Sequence, residues 1–351
     1  MKTIEWQYLI VSYLFLGGLS AGLYFVSALT ELFRKDDDSA QEHIARLGAL
    51  LASWPVMLGC TLLVFDLGHW YRAYKLFLHF RWESPMSIGS WLLMLFIGIS
   101  LIYAYGWTSR DGREHFFGRL PRRLRFLGIL NVDVAPWRRP LAIAGLPVSV
   151  GVAIYTGVLL GAVQSRPFWN TNLVAQLFLF SALSSGCALL ILVLAMRSRK
   201  FEMYQFRSLY LLDVCFLTLE FFIVVPYFIH GELSVEAVRE SLKLVLGGPF
   251  TMVFWVFFMG LGLVLPWAIE VREVVPLFLT HVQLLPRMGV ATPSPAGASV
   301  SVVSELSALA PPANKLHFSR GWAVAAALLV LVGGVLVRYI FVFAGQMSAI
   351  R

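Results

Sequence analysis

Eight long apolar runs, separated by short polar or basic stretches, divide the chain at about 8–33, 47–68, 86–107, 141–163, 173–196, 208–230, 250–270 and 322–343. Each approaches or exceeds the roughly 20 apolar residues that a helix needs to cross a bilayer. The ten-residue alternation of a membrane barrel is absent, so the pattern predicts an all-α integral membrane protein with eight transmembrane helices. The first run lacks a basic leader and a small-residue cleavage site, and Glu5 precedes it, so it reads as a retained span. Residues 1–351 then form one membrane domain. Its longest interruption is a loop at 274–320, which contains the Ser/Pro-rich stretch "GVATPSPAGASVSVVSELSALAPPAN" at 289–314. That stretch is small, weakly periodic and expected to act as a flexible linker.

Composition agrees with this reading. Of 351 residues, 58% are hydrophobic and only 14% charged, with a mean hydropathy of +0.75; a soluble domain carries about a quarter charged residues. The net charge of +8 becomes informative once it is divided among loops. With both termini outside, nineteen of the 28 basic residues fall on inner loops, eight of them between Arg110 and Arg139. The positive-inside rule therefore predicts outer termini. Topology accounts for the basic excess, and no nucleic-acid partner is needed.

Other features refine the picture. The outer segment "GHWYRAYKLFLHFRWESPMS" is dense in aromatic and basic residues, which suits interfacial anchoring or a docking surface for another protein. Gly18 and Gly22 form one GxxxG, Gly157 and Gly161 another, and "SALSSG" marks the fifth span; small residues of this kind allow close helix packing in lipid. Cys60, Cys187 and Cys215 all lie in apolar runs without CxxC or CxxCH spacing. They read as buried small residues, with no disulfide, cluster or covalent haem.

Orientation gives each polar residue within a span a depth. Tyr13 lies near the outer end of the first span, and Asp66 and His69 end the second one turn apart. Tyr155 lies in the outer half of the fourth, before Gln164 and Arg166, and Arg338 lies near the outer end of the eighth. Each has a structural explanation alone: an Asp66–Arg338 pair, a snorkelling His69, an interfacial Tyr155. Together they suit a ligand with carbonyl or hydroxyl oxygens that exchanges protons, such as a quinone head in an apolar cleft. A second set lies deeper: Glu31, Asp213, Glu220, and Glu270 with Arg272. Glu220 sits mid-span as either a hydrogen-bond donor or a proton relay. The seven histidines lie in loops or at span ends, where they are badly placed to ligate a transmembrane haem. No Walker motif, dinucleotide fingerprint or HExxH occurs.

Six segments in order, "YLFLGGLSAGLYF", "LLVFDLGHW", "ESPMSIGSW", "IYTGVLLGAVQSRPFWN", "LFLFSALSSGCALL" and "VRYIFVFAGQ", resemble the NrfD/PsrC family of membrane subunits. The resemblance implies eight helices, commonly as two four-helix bundles, with no haem. It also implies a quinone/quinol site (menaquinone or ubiquinone) near the outer face. A ferredoxin-like iron–sulfur subunit would dock there and connect to a large catalytic subunit, a molybdopterin enzyme or a hydrogenase. The setting implied is a bacterial cytoplasmic membrane. By this resemblance Tyr155, before Thr-Gly in "IYTG", is the quinone-binding tyrosine, and the "RPFWN" cap ends its helix at the partner-facing surface. The first span departs from the polysulfide-reductase branch, with Tyr13 where that branch has His and Leu9 where it has Asn; Asp66 and His69 are then expected to take over head-group contacts. Glu220, Glu31 and Asp213 make the candidate proton route. The rival reading is an ion-coupled secondary transporter using buried carboxylates, with Pro55, Pro226 and Pro266 as kinks, although no internal repeat is visible.

Overall fold

The computed structural model describes residues 8–34, 39–66, 81–108, 134–163, 165–197, 207–272 and 320–348. All regular elements among them are helical. Eight are long and apolar enough to cross a membrane: Tyr8–Phe33, Ser39–Phe65, Pro85–Gly106, Ala135–Gly161, Leu173–Arg197, Arg207–Glu232, Val253–Arg272 and Arg320–Met347. We number these spans one to eight. The 289–314 linker, His69, Gln164 and most of the aromatic outer segment lie outside the described residues, as does the Asp66 side chain.

The spans match the apolar runs except at their ends. Span two starts at Ser39, well before the run at 47, because hydropathy marks only the lipid-facing length. The helix itself continues through exposed Glu42 and His43, and Glu42 in the first turn complements the helix dipole. Span three begins where Ser84 caps the Ser87 amide at 3.4 Å, with Pro85 at the first helical position.

Span one is the hub. It packs against spans two, four, five and eight, while span two meets three and span three meets four. Span five meets six and eight, and span eight meets seven. Spans four and five also pack on each other, and with span one they form the centre of the assembly. In lipid there is little hydrophobic gain from placing one apolar helix on another, so close backbone approach supplies the attraction. Gly22 of span one abuts Ala182 and Gly186 of span five, and Gly157 of span four abuts Val174 and Ala175; a Cβ at Gly22, Gly157 or Gly186 would overlap the opposing main chain. Both GxxxG motifs thus bear on span five, and "SALSSG" is part of their receiving surface. Hydroxyl groups add ties between spans one and two: Ser20 donates to the Ala52 carbonyl, and Ser27 to that of Ala45 at 2.5 Å. In span seven, Val253–Val264 is wound as a π-helix, and its Gly262 meets Gly333 of span eight backbone to backbone.

The start of span one, the end of span eight and the 163–172 connection share one face. There Tyr8 packs on Tyr339 and Phe343, with ring centroids 6.3 and 5.3 Å apart, and the Arg166 guanidinium donates to the Gln346 carbonyl. We call this the terminal face. At the opposite face Arg138 donates to the Gly106 carbonyl at 2.7 Å and Arg320 to that of Met196 at 2.6 Å. Both arginines come from the loops that charge counting places inside.

Candidate functional site

Two buried phenols lie near each other in the half of the molecule nearer the terminal face. Tyr155 lies six residues before the end of span four and Tyr13 five after the start of span one. At 1.5 Å per residue, both rings lie roughly 8–9 Å below the helix ends. They are electrostatic neighbours, and Cys60 of span two adjoins Tyr13. The Tyr155 ring is seated on Gly89 of span three so closely that a Cβ there would overlap its Cζ and Oη. Gly59 of span two lies beside Tyr13 at ordinary contact distance, a Cβ there falling 3.5 Å from the ring. Gly89 therefore makes the room that the Tyr155 ring occupies.

Comparison with the other tyrosines shows what is unusual here. Tyr24 also sits on a glycine, Gly145, and donates to the Leu141 carbonyl at 2.7 Å. Tyr227 donates to the Phe168 carbonyl at 2.9 Å, and Tyr103 contacts Ser27 at 3.4 Å. These hydroxyls are spent on holding helices together. Tyr155 and Tyr13 have no hydrogen-bond partner among the described residues, although both are buried. A phenol not committed to a helix–helix bond can donate elsewhere, so the pair suits a ligand with two carbonyl or hydroxyl oxygens. An apolar surround with few polar groups fits a quinone head.

The "RPFWN" cap is turned inward at its aromatic residues. Phe168 and Trp169 are each 2% exposed. Trp169 donates from Nε1 to the Phe341 carbonyl at 2.6 Å and fills the space left by Gly345. Phe168 packs on Phe341 and Tyr227. The cap therefore pins the Tyr155 helix to spans six and eight, leaving Asn170 exposed. Beside it a pocket of about 660 Å³ opens between Gly157, Gly161, Asn170, Asn172, Pro226 and His230.

Arg338 is fully buried and belongs to a different cluster. Its Nε donates to the Leu14 carbonyl at 3.3 Å and its Nη1 to Gly334 at 2.6 Å and Ser181 Oγ at 3.2 Å. Phe15 and Phe178 lie 5.6 and 5.3 Å from its guanidinium carbon. Glu220 of span six approaches the same serines: Ser184 donates to its Oε2 at 3.4 Å, Ser181 bonds it as well, and Arg338 acts on it electrostatically. Arg338 and Glu220 thus face each other across the hydroxyls of span five. The described contacts of Arg338 come from spans one, five, six and eight.

The structure groups the deeper carboxylates selectively. Asp213 and Glu270, on spans six and seven, are fully buried with their carboxyl groups facing each other. Cys187 of span five lies within electrostatic reach of both. Glu31 instead pairs with Arg34 at 3.2 Å and neighbours Tyr103. Sequence reasoning overlooked Gly89, Ser181 and Ser184 as site residues, and grouped Glu270 with Arg272 rather than with Asp213. Position alone could have raised the serines, since Ser181 and Ser184 share one face of a helix.

The profile of the family described as "Polysulphide reductase, NrfD" matches residues 1–282. The protein NrfD of Escherichia coli K12 is 30% identical over 274 residues, which is 77% of the present sequence and 85% of the relative's. A polysulfide reductase polypeptide of Wolinella succinogenes is 30% identical over 278 residues, 77% of the present sequence and 84% of the relative's. A selenate reductase polypeptide of Mesobacillus selenatarsenatis is 27% identical, with coverage of 75% and 65% respectively.

Proposed function

The chain belongs to the NrfD family, and on that premise we propose that it is the quinone- or quinol-reactive membrane subunit of a respiratory oxidoreductase complex. The observation that carries the reading is Tyr155, a buried phenol seated on Gly89 beside Tyr13, with no acceptor among the described residues. A bound quinone takes up two electrons and two protons at its oxygens, and a quinol returns them.

In this reading Tyr155 and Tyr13 donate hydrogen bonds to the head group and fix its orientation. Gly89 fixes the seat of the Tyr155 ring. Asp66 and His69 exchange protons with the outer water. Arg338 holds span one through the Leu14 carbonyl, one residue from Tyr13. Glu220 and Asp213 carry protons between the site and the opposite face. The Glu31–Arg34 pair leaves Glu31 a weaker candidate for that route.

An iron–sulfur subunit docked on the terminal face exchanges electrons with the site and links it to a large catalytic subunit. The names of the polysulfide and selenate reductase relatives, each one component of a reductase, support such an assembly. The charge pattern supports an outward terminal face in a bacterial cytoplasmic membrane.

The test is Tyr155→Phe in the intact complex. Loss of one hydrogen bond to the ligand, about 0.5–1.5 kcal/mol, lowers quinol-linked turnover roughly 2- to 13-fold. Activity measured with a soluble dye, which bypasses the membrane subunit, stays unchanged. Unaltered quinol turnover would leave the protein an inert anchor, and purification without iron-containing partners would favour a transporter.

A further inference from the structure

The Asp213–Glu270 pair asks for a function that quinone binding does not use. Both residues are completely buried, and none of their four carboxylate oxygens has a hydrogen-bond donor among the described residues. An ionised carboxylate only accepts, so two of them face to face leave four acceptors without a donor. They also repel one another, strongly so where water does not screen them. One proton between them removes both problems. It supplies the donor, converts the repulsion into a charge-assisted hydrogen bond and halves the buried charge. No cluster of metal-ligating residues competes for this place among the described residues.

The pair lies along a run of polar groups. Glu220 is seven residues after Asp213, two helical turns away and on the same face of span six. Ser184 and Ser181 of span five connect Glu220 to Arg338. Arg338 reaches the helix that carries Tyr13 through the Leu14 carbonyl. Cys187 of span five, one turn beyond Ser184, lines the interval next to the acid pair. That interval is roughly 10 Å along the axis, so a proton crossing it needs intervening water. Asp213 lies six residues from the start of span six and Glu270 two from the end of span seven, close to the face opposite the termini.

We propose that Asp213 and Glu270 form a proton-loading pair. It takes protons from the face opposite the termini and passes them along spans five to eight towards Glu220 and Arg338. The transfer is of H⁺ alone: a carboxyl O–H bond breaks at the donor and one forms at the acceptor, with no change of oxidation state. The inference rests on the quinone-reactive reading, because the quinone reaction is the sink or source for these protons.

The experiment reconstitutes the whole complex in sealed vesicles and counts protons taken from each side per electron pair. Asp213→Asn and Glu270→Gln each keep the shape and replace the shared proton by a fixed N–H donor. Either is expected to abolish proton uptake from the opposite face, and two variants guard against one failing to assemble. Undiminished uptake in an assembled variant of either residue would overturn the proposal. So would loss of uptake in Glu31→Gln with the acid-pair variants unaffected, which would put the route along spans one to three. Tyr155→Phe is measured in parallel: unchanged quinol turnover there refutes the quinone reading, whatever the acid pair does.

Discussion

Gly89→Ala tests the quinone site without touching any group that meets the ligand. The added methyl falls inside the Tyr155 ring contact, nearest Cζ, Oη and Cε2. Carbon atoms rest about 3.5–4.0 Å apart, so the ring has to retreat by roughly 1–2 Å. Overpacking of this kind destabilises by about 1–3 kcal/mol. The functional effect should be larger, because a displacement of about 1 Å in a positioning group can reduce rate on the order of 100-fold. Quinol-linked turnover of the complex should therefore fall roughly 10- to 100-fold, more than in Tyr155→Phe, while soluble-dye activity persists. The decisive assay is a double-mutant cycle. In a Tyr155→Ala background there is no ring to displace, so Gly89→Ala should add almost nothing to the loss. Coupling of about 1–3 kcal/mol between the two positions is expected. Additive effects, or wild-type quinol turnover in Gly89→Ala, would show that the Tyr155 position does not depend on this contact.

Four further outcomes follow from the packing. Trp169→Phe loses the bond to the Phe341 carbonyl and should lower thermal stability by about 1–3 kcal/mol, read as an earlier melting transition of the purified complex. Tyr24→Phe strips the Leu141 carbonyl of its donor; it should reduce stability by about 1 kcal/mol and leave quinol affinity alone, the reverse of Tyr155→Phe. Gly186→Val drives a side chain into the Gly22 backbone and should cut the yield of folded protein sharply in detergent extracts. Arg338→Gln leaves the Glu220 side without its buried cation; Glu220→Gln in the same protein should restore part of the lost stability, and no restoration would mean that the two do not interact.

Much of this was legible in the sequence because lipid imposes simple rules. A bilayer of fixed thickness demands apolar runs of about 20 residues, so eight spans could be counted, and the membrane class of the protein follows from them. The segments "IYTG" and "ESPMSIGSW" led to the family and to Tyr155 because short motifs keep their residues adjacent. Small residues at Gly22, Gly157 and Gly186 announced close helix contacts, although not which helices meet.

What only the tertiary structure decided is which side of each helix faces which neighbour. Depth along an axis can be read from residue number; azimuth and partner cannot, because neither leaves a trace in a helix that is apolar on every side. Tyr13, Tyr155 and Arg338 lie in the same half of the membrane, yet Tyr155 seats on Gly89 near Tyr13 while Arg338 joins Ser181 and Glu220. Glu270 is 57 residues from Asp213 by their numbers, and their carboxyl groups meet only because spans six and seven pack with those faces together. The sequence set which groups lie within the membrane; helix packing in three dimensions set which of them can exchange a proton.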